Sequence, residues 1–462
     1  MSAPTPITTV EDVKKEVLTI VTPTFCSGTL PLNRSQGGVF FSKGESSDAS
    51  VINFADENLK DADIAKLVEA SQRATFGRGD QDALKILDES YRKAWKMDSS
   101  QFSPQFDVIH SGVMDIVQEQ LLHYEKGSVK LDPRLYELNV YGPGSFFKPH
   151  VDTPRGDDLF ATLVVVLPTV HTGGSLLLGK GGKLLDFDSS TSVYHPGTKA
   201  PQIAFAAFYS DIEHEVTPVE VGYRVTLTYN LHLVKTDSVV PKEVPAKPLQ
   251  KLVANLMKLM LNPEVLPKGG ALGFGLLHKY PVDAKEVSLQ EFSGALKGND
   301  ALVATACRRL GMKPTVRVVY GYDTEECIVD FVEGDGSSEY GEMSLQEMLS
   351  GEGFRSAPRV RDPSYRRISD RSLPILWVTP RMKMMTTEFA WSVCHDIDRV
   401  YGDFVLTAEL KPLRDRVAWL VNAFPDLKEK YEGRLEEMIE QAGRGEDEDE
   451  DEDEEDSDMS DY

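Results

Sequence analysis

The chain has 462 residues, and its 50 Lys and Arg against 74 Asp and Glu give a formal net charge of −24 at pH 7. An acidic tail over residues 446–462 holds 13 of the negative charges, which leaves −11 on the preceding body. A body of that charge argues against a general basic surface for nucleic acid. The hydrophobic content of 41% is that of a folded protein. At about 100–200 residues per domain, the length predicts two to three domains.

The amino-terminal sequence and the cysteines indicate an intracellular protein, cytoplasmic or nuclear. The first residues, MSAPTPITTVEDVKKEV, are polar and charged, unlike a signal peptide. The longest apolar run, Leu159–Val170, is shorter than the about 20 residues that a membrane span needs. The short run means that no membrane contact is expected. The four cysteines are far apart and form no CxxC pair, so no disulfide framework is expected either.

The amino-terminal half begins with an irregular segment and continues with predicted helices. Residues 1–54 are rich in Thr, Ser, Gly and Pro, and they are predicted to be partly irregular. Apolar residues at helical spacing then predict three helices, over Leu59–Ala74, Gln81–Trp95 and Val108–Tyr124. From Tyr136 the residue pattern changes to short β-type runs separated by Gly and Pro turns, and this pattern is typical of a sandwich or barrel.

The carboxy-terminal half mixes both element types and predicts a second, α+β domain over residues 236–445. Its predicted elements are helices at Pro248–Leu261, Asp300–Leu310 and Arg414–Gln441, the last broken at Pro425, and strands at Ala271–Lys279, Thr315–Tyr320 and Cys327–Val332. The tail, residues 446–462, is predicted to be disordered because like charges repel and nothing apolar is available for burial. We interpret it as a solubility segment or as a binding site for a basic protein partner.

Four residues of the β-rich region form a pattern with a specific chemistry. His150 and Asp152 are two residues apart, so in a strand their side chains point to the same face. A later β-type run contains His214, and two His with one carboxylate make the facial triad of non-haem Fe(II) oxygenases. Ten residues further on, Arg224 begins another strand, where a guanidinium can bind a carboxylate through two hydrogen bonds.

This spacing resembles the Fe(II)- and 2-oxoglutarate-dependent dioxygenases, and within them the prolyl 4-hydroxylase-like group. The chain is also similar to fungal proteins that carry this domain. The matching blocks, which fall between about Ala55 and Leu233, are ATFGRG, YGPGSFFKPHVDTPR, TLVVVLPT, FYSDIEHEV and RVTLTYNL. The resemblance implies a double-stranded β-helix, or jelly roll, with flanking helices over residues 55–235.

The resemblance also implies roles for individual residues. His150, Asp152 and His214 would ligate Fe(II), and Arg224 would bind the distal carboxylate of the cosubstrate 2-oxoglutarate. Further cosubstrate contacts are expected from residues at matching places or on the same strand face, Tyr141, Thr226 and Thr228. One position departs from the family pattern, because Phe147 stands where a tyrosine is common.

The implied reaction is hydroxylation of a substrate coupled to oxidative decarboxylation of 2-oxoglutarate, with O2 as the second cosubstrate and ascorbate as an accessory reductant. Because the resemblance is to prolyl 4-hydroxylases, a protein prolyl residue is the first hypothesis for the substrate. Two alternatives stay open: a non-catalytic interaction protein on a jelly-roll scaffold, and a nucleic-acid demethylase of the same chemistry.

Two further segments are candidates for the substrate cleft. They are the loop Thr153–Leu159, which contains Arg155, and the insert Gly179–Gln202. His171 and His195 fall in predicted turns near the proposed site, and we interpret both as exposed loop residues, with lining of the cleft as the alternative.

Overall fold

A computed structural model describes most of the chain, with gaps at several loops and at the carboxy-terminal end. The described residues are 9–20, 22–42, 49–76, 86–122, 129–152, 159–179, 185–235, 246–280, 289, 296–322, 325–329, 359–361, 372–381, 387–393 and 396–427. The acidic tail, Arg155 and most of the loop Thr153–Leu159 therefore lie outside the described residues. None of the helices within these ranges is long and apolar enough to cross a membrane.

The chain divides into two compact units. One unit comprises Thr22–Lys242, and the other combines Met1–Val21 with Glu243–Tyr462. The first helix, α1 (Val10–Thr19), therefore belongs with the carboxy-terminal part of the chain and not with the strands that follow it.

The central unit, Thr22–Lys242, is rich in strands. Its helices are α2 (Asp61–Ala70) and α3 (Val113–Leu121). Its strands are β1 (Phe25–Pro31), β2 (Gly38–Ser42), β3 (Ala49–Asn53), β4 (Gln72–Arg73), β5 (Arg92–Lys93), β6 (Trp95–Asp98), β7 (Phe102–Pro104), β8 (Val129–Tyr141), β9 (Phe146–His150), β10 (Leu159–Val166), β11 (His171–Gly173), β12 (Leu176–Leu178), β13 (Leu185–Phe187), β14 (Gln202–Tyr209), β15 (His214–Val216), β16 (Val219–Gly222) and β17 (Arg224–Lys235).

Two antiparallel sheets of this unit share one hydrophobic interior. The larger has the strand order β1-β14-β10-β17-β8-β6-β4, and the smaller has the order β13-β12-β15-β9-β5. Side chains from both sheets, among them Tyr141, Phe147, Leu176, Phe208 and Val216, form a buried cluster between them. A second cluster joins the other face of the larger sheet to α2 and α3. The predicted sandwich with flanking helices is therefore observed.

The predicted helix Gln81–Trp95 is wrong over its described part. Residues 86–95 instead contain an isolated bridge at Ile86, a turn, and the short strands β5 and β6. Burial alternates here, with Arg92, Ala94 and Lys96 facing inward. Two of these inward residues, Arg92 and Lys96, are charged. The alternation of buried and exposed residues that is typical of a strand therefore does not show in the apolar residues, whose spacing matched a helix. The other two predicted helices are confirmed in shorter form, as α2 and α3.

The other unit packs helices on a mixed sheet. Its remaining elements are α4 (Ala246–Met260), β18 (Gly270–Gly275), α5 (Gly298–Arg309), β19 (Pro314–Tyr322), β20 (Glu325–Val329), β21 (Arg359–Arg361), β22 (Ser372–Thr379), β23 (Thr387–Val393), β24 (Asp396–Leu410) and α6 (Leu413–Ala423). The strand order is β18-β22-β21-β20-β19-β24-β23, with a further β18–β24 pairing. Most of the predicted elements are confirmed, and α6 ends before Pro425. The rest of the predicted helix, from residue 428 on, lies outside the described residues.

A single buried arginine joins α4 and α6 in this unit. The Arg416 guanidinium donates hydrogen bonds to five backbone carbonyls, those of Met260, Asn262, Val265, Leu266 and Lys411. Several of these carbonyls follow the carboxy-terminal end of α4, where backbone oxygens have no partner within the helix. Arg416 therefore gives each of these carbonyls a side-chain donor, although those of Asn262 and Leu266 also accept a backbone N–H, and it ties the two helices together.

Candidate functional site

The predicted metal ligands converge where two neighbouring strands of the smaller sheet meet. His150 is the last residue of β9 and His214 is the first of β15, and the two are direct cross-strand partners. Asp152 lies just beyond the end of β9. One potential ligand atom from each of the three residues lies within 4.8 Å of the others. The structure thus brings together the three side chains that the sequence pattern singled out.

Backbone carbonyls orient both imidazole rings. The Nδ1 of His150 lies 2.8 Å from the carbonyl oxygen of Lys148, and the Nδ1 of His214 lies 3.0 Å from that of Ile212. Because a carbonyl oxygen only accepts, each Nδ1 carries the proton and donates it. Nε2 is therefore the nitrogen of each ring that is left for a metal, which is the arrangement that a metal-binding histidine requires.

A threonine from the larger sheet holds the carboxylate. The hydroxyl of Thr162, in β10, donates to Asp152 Oδ2 at 2.5 Å. The other oxygen, Oδ1, lies 3.8 Å from His214 Nε2. One oxygen is thus occupied by the protein and the other faces the histidines. This role of Thr162 was not predicted from the sequence, although Thr162 is a hydroxyl residue in an otherwise apolar strand.

Aromatic rings line the histidines. Phe147 stacks on His150 with centroids 3.6 Å apart, and Phe208 lies 4.6 Å from His214. Burial, with a smaller effect from His214, lowers the pKa of His150 to about 3, although Asp152 acts in the opposite direction. His150 is therefore neutral at physiological pH, as a metal ligand must be. Phe147, the departure from the family pattern, uses its ring to support a ligand.

Arg224 is a buried cation with an unused donor. It is the first residue of β17, is 1% exposed, and pairs across the strands with Tyr141, whose ring centre lies 5.7 Å from the guanidinium carbon. Its Nη2 is buried and has no hydrogen-bond partner. Burial lowers the pKa of Arg224 to about 10, so it stays protonated at neutral pH. A buried, unpartnered guanidinium nitrogen is costly unless a ligand satisfies it.

The chemistry of the side chains at the site matches what Fe(II) and 2-oxoglutarate would need. Two imidazoles and a carboxylate with one oxygen facing them are the donor set of a non-haem iron site. An unsatisfied guanidinium on the inner face of the adjoining sheet suits a carboxylate. Tyr141, beside Arg224, lies in the same buried cluster as Phe147 and Phe208, which contact the two histidines. The residues present therefore fit Fe(II) and a carboxylate-bearing cosubstrate.

The two predicted threonines occupy different surroundings. Thr226 is buried on the same face of β17 as Arg224 and pairs with Asn139. The Thr228 hydroxyl accepts a hydrogen bond from Asn139 Nδ2 at 3.3 Å. The cosubstrate contacts expected of Tyr141, Thr226 and Thr228 stay predictions.

A buried ionic network that the sequence pattern did not predict lies next to Thr228. Arg92 Nη2 donates to Glu137 at 2.9 Å and to the side-chain oxygen of Asn139 at 2.7 Å. Lys96 Nζ lies 3.6 Å from the second oxygen of Glu137. The Arg92 guanidinium also lies over the Phe147 ring, with its carbon 4.6 Å from the ring centre. This network therefore reaches the aromatic ring that stacks on His150.

Two predictions about histidines have different outcomes. His171 was expected to be an exposed loop residue, and that expectation is wrong: it begins β11 and is 4% exposed, because its ring turns inward to contact Ser189. His195 is exposed, and its Nδ1 accepts the backbone N–H groups of Gly197 and Thr198, as a turn residue does.

Gly174 leaves room for the stem of Arg224. A Cβ at this position would lie 3.0 Å from Arg224 Cδ and 2.8 Å from Val219 Cγ2. The backbone of Gly174 also has φ +69°, a conformation that favours glycine. The Gly173-Gly174 pair in the sequence signals this close approach.

Comparison with known proteins identifies a family over part of the central unit. Residues 136–232 match the model of the 2OG-Fe(II) oxygenase superfamily. This match confirms the family resemblance that the motifs indicated, and it implies a jelly-roll core for the two facing sheets. The family uses Fe(II), 2-oxoglutarate and O2, and His150, Asp152 and His214 are the candidate iron site. No sequence among the curated proteins matches the chain.

Several solved structures resemble parts of the chain. A Pseudomonas putida prolyl-4-hydroxylase is 16% identical over 48% of this chain and 98% of its own length, with a TM-score of 0.28. A Trichoplax adhaerens prolyl hydroxylase, solved with a hypoxia inducible factor peptide fragment, is 16% identical over 48% and 90%, with a TM-score of 0.29. For a Burkholderia pseudomallei 2OG-Fe(II) oxygenase family oxidoreductase, the identity is 18% and the TM-score 0.18. That match covers 22% of this chain and about half, 46%, of the Burkholderia chain.

Proposed function

We propose that this protein is an Fe(II)- and 2-oxoglutarate-dependent dioxygenase that hydroxylates a substrate, with a protein prolyl residue as the leading substrate class. The observation that carries the proposal is the convergence of three metal-binding side chains from strands β9 and β15 in the same interior as a buried arginine with an unused donor. Support also comes from the family match over residues 136–232.

His150, Asp152 and His214 would hold Fe(II), which with 2-oxoglutarate and O2 would supply the oxidation that inserts one oxygen atom into a substrate C–H bond and yields succinate and CO2. A set of two histidines and one carboxylate would leave coordination positions available to the cosubstrates. Thr162 fixes the carboxylate of this set. Arg224 would orient 2-oxoglutarate through its distal carboxylate, because a guanidinium matches a carboxylate in geometry and charge.

Apolar side chains surround the two candidate histidine ligands. Phe147 and Phe208 contact the two histidine rings, and Leu176 and Val216 belong to the same buried cluster. An apolar surrounding excludes water from reactive species and strengthens the electrostatic interactions of Arg224. A non-catalytic interaction protein has no need for two imidazoles oriented towards one carboxylate, so the enzymatic role is favoured.

The first test measures assembly of the site. Protein purified without O2 receives Fe(II) and 2-oxoglutarate, and a weak visible charge-transfer band is expected. The His150→Ala variant should lose the band. His110→Ala is the matched control, because His110 lies near a carboxylate, that of Asp107, but its side chain is 83% exposed. Absence of the band in the wild-type protein, or its persistence in His150→Ala, would refute the proposal.

The second test addresses turnover and substrate. Succinate release in the presence of O2 should require both His214 and Arg224. Mass spectrometry of proteins incubated with wild-type enzyme should find peptides that gain one oxygen atom, absent from incubations with His214→Ala. Prolyl residues are the expected position. Modification of a nucleic-acid base, or of another side chain, would overturn the substrate class and leave the reaction type standing.

A further inference from the structure

Two residues outside the family pattern, Ser189 and His171, form a chain of hydrogen bonds that ends at the Nε of Arg224. Its Nε lies 3.4 Å from the hydroxyl oxygen of Ser189. That hydroxyl lies 3.3 Å from Nε2 of His171, and Nδ1 of His171 lies 2.8 Å from the carbonyl oxygen of Thr169. Ser189 is 1% exposed, as is Arg224, so these contacts are buried.

The chemistry of the four groups determines the direction of every hydrogen bond. The Thr169 carbonyl only accepts, so His171 Nδ1 carries a proton and Nε2 of the neutral ring is an acceptor. The Ser189 hydroxyl therefore donates to His171. Since a guanidinium only donates, the same hydroxyl oxygen accepts from Arg224 Nε. Ser189 thus links its two neighbours, as donor to His171 and as acceptor from Arg224.

The turn that presents Ser189 is part of the wall of the central unit. Asp188 accepts the backbone N–H of Ser190 through its side chain at 2.8 Å, and the Ser189 carbonyl accepts the N–H of Val193 at 3.2 Å. Val193 is completely buried in a small cluster with Val166 of β10. The turn is therefore anchored to the larger sheet, which gives Ser189 a fixed position relative to Arg224.

We propose that Ser189 and His171 are positioning residues that orient Arg224 for the distal carboxylate of the cosubstrate. A guanidinium offers a carboxylate either its Nε edge or the end formed by its two Nη groups. Ser189 occupies Nε, and Nη2 is the buried nitrogen without a partner. The carboxylate therefore binds at the Nη end. This inference rests on the proposed function, and it assigns the described part of the insert Gly179–Gln202 a role in cosubstrate selection.

The test compares two 2-oxo acids that differ at the distal end. Binding of 2-oxoglutarate and of 2-oxobutanoate, which lacks the distal carboxylate, is measured by calorimetry on the full chain with Fe(II) and without O2. Ser189→Ala and His171→Phe should each weaken 2-oxoglutarate binding roughly tenfold, the scale of one hydrogen bond to a charged group. Binding of Fe(II) alone and of 2-oxobutanoate should not change.

Further variants separate positioning from folding. The double variant Ser189→Ala/His171→Phe should lose no more than either single variant, because both act on one chain of hydrogen bonds. Ser189→Thr keeps a hydroxyl and His171→Gln keeps an acceptor, so both should recover part of the affinity. Ser190→Ala, in the same turn, and His195→Phe, at an exposed ring, are the matched controls.

The outcomes distinguish the two proposals. If wild-type protein and Arg224→Ala bind 2-oxoglutarate alike, the proposed function fails. If Arg224→Ala loses binding while Ser189→Ala and His171→Phe retain it in full, the positioning role is refuted and the proposed function stands. Equal losses for both 2-oxo acids would also refute it, because general damage to the site and not orientation of Arg224 would then be the cause.

Discussion

His150 and His214 lie directly opposite each other on neighbouring antiparallel strands, with ring centroids 4.2 Å apart. A shift of one residue in the pairing of β9 and β15 would send one ring to the other face of the sheet. The metal site therefore depends on this one register. Conversely, a metal ion held by both rings would stabilise the pairing of the two strands.

Fe(II) is expected to stabilise the protein against unfolding. A ligand that binds only the folded state adds about 2.7 kcal/mol to the free energy of unfolding at a concentration of 100 times its Kd. Thermal unfolding without O2 should therefore shift upward with Fe(II) in the wild-type protein and in His110→Ala, and not in His214→Ala. An equal shift in all three proteins would place the metal elsewhere.

Thr162→Val should weaken metal binding. The substitution keeps the shape of the side chain and removes the hydroxyl that donates to Asp152. Loss of such a supporting hydrogen bond typically lowers metal affinity by about 10–100-fold. Thr172→Val, at an exposed position of β11, is the control, and calorimetry with Fe(II) is the measurement. Unchanged affinity in Thr162→Val would show that Asp152 holds its position without the threonine.

Gly174→Ala should reduce 2-oxoglutarate affinity, because the new methyl group would push against the Arg224 stem. Gly112→Ala is the matched control: Gly112 has φ +89° with nothing within 4 Å of a Cβ, so only the backbone cost, about 1–2 kcal/mol, applies there. Both variants should lose stability in thermal unfolding, and only Gly174→Ala should lose affinity. Equal affinities would mean that Arg224 tolerates the contact.

Stability should fall as the pH decreases, in part because of His171. Burial, assisted by the charge of Arg224, lowers the pKa of His171, while the Thr169 carbonyl and Asp188 act in the opposite direction. Below the unfolded-state pKa of about 6.5, the unfolded chain takes up a proton that the folded protein refuses, so the free energy of unfolding decreases.

The measurement is chemical denaturation of metal-free protein between about pH 7.5 and pH 5.5, a range that spans the unfolded-state histidine pKa of about 6.5. His171→Phe should show a smaller loss of stability across this range than the wild type. Some pH dependence should remain, because burial lowers the pKa of His150 as well. His195→Phe is the control for removal of an exposed imidazole. Parallel curves for wild type and His171→Phe would contradict the prediction.

Arg416→Met should destabilise the unit that contains α4 and α6. The substitution keeps an apolar stem and removes the guanidinium donors of five buried or partly buried carbonyls. The carbonyls of Asn262 and Leu266 keep a backbone N–H donor, whereas each carbonyl left without any donor costs about 1–3 kcal/mol when no water replaces the lost group. Arg414→Met, at an exposed position of the same helix, should have little effect. Chemical denaturation compares the two, and equal stabilities would show that solvent replaces the guanidinium.

The sequence by itself determined the chemistry of the site and the type of most elements. Metal ligands and carboxylate-binding residues belong to few residue types. Their spacing therefore predicted His150, Asp152 and His214 as a candidate iron site, and Arg224 as a candidate for carboxylate binding, without any coordinates. Apolar periodicity predicted α2 and α3, because each buries one face in the same hydrophobic cluster. It failed at Arg92 and Lys96, because a charged side chain that pairs in the interior looks like a surface residue in sequence.

Only the tertiary structure decided which residues support the site. Ser189, His171 and Thr162 are common residue types at positions without a pattern, and their roles arise from cross-strand register and from a turn that folds back onto the larger sheet. The same holds for α1, which belongs with the unit that resumes at Glu243. Hydrogen bonds act over about 3 Å in space regardless of separation along the chain, so the partners of a catalytic residue become visible only when the chain has folded.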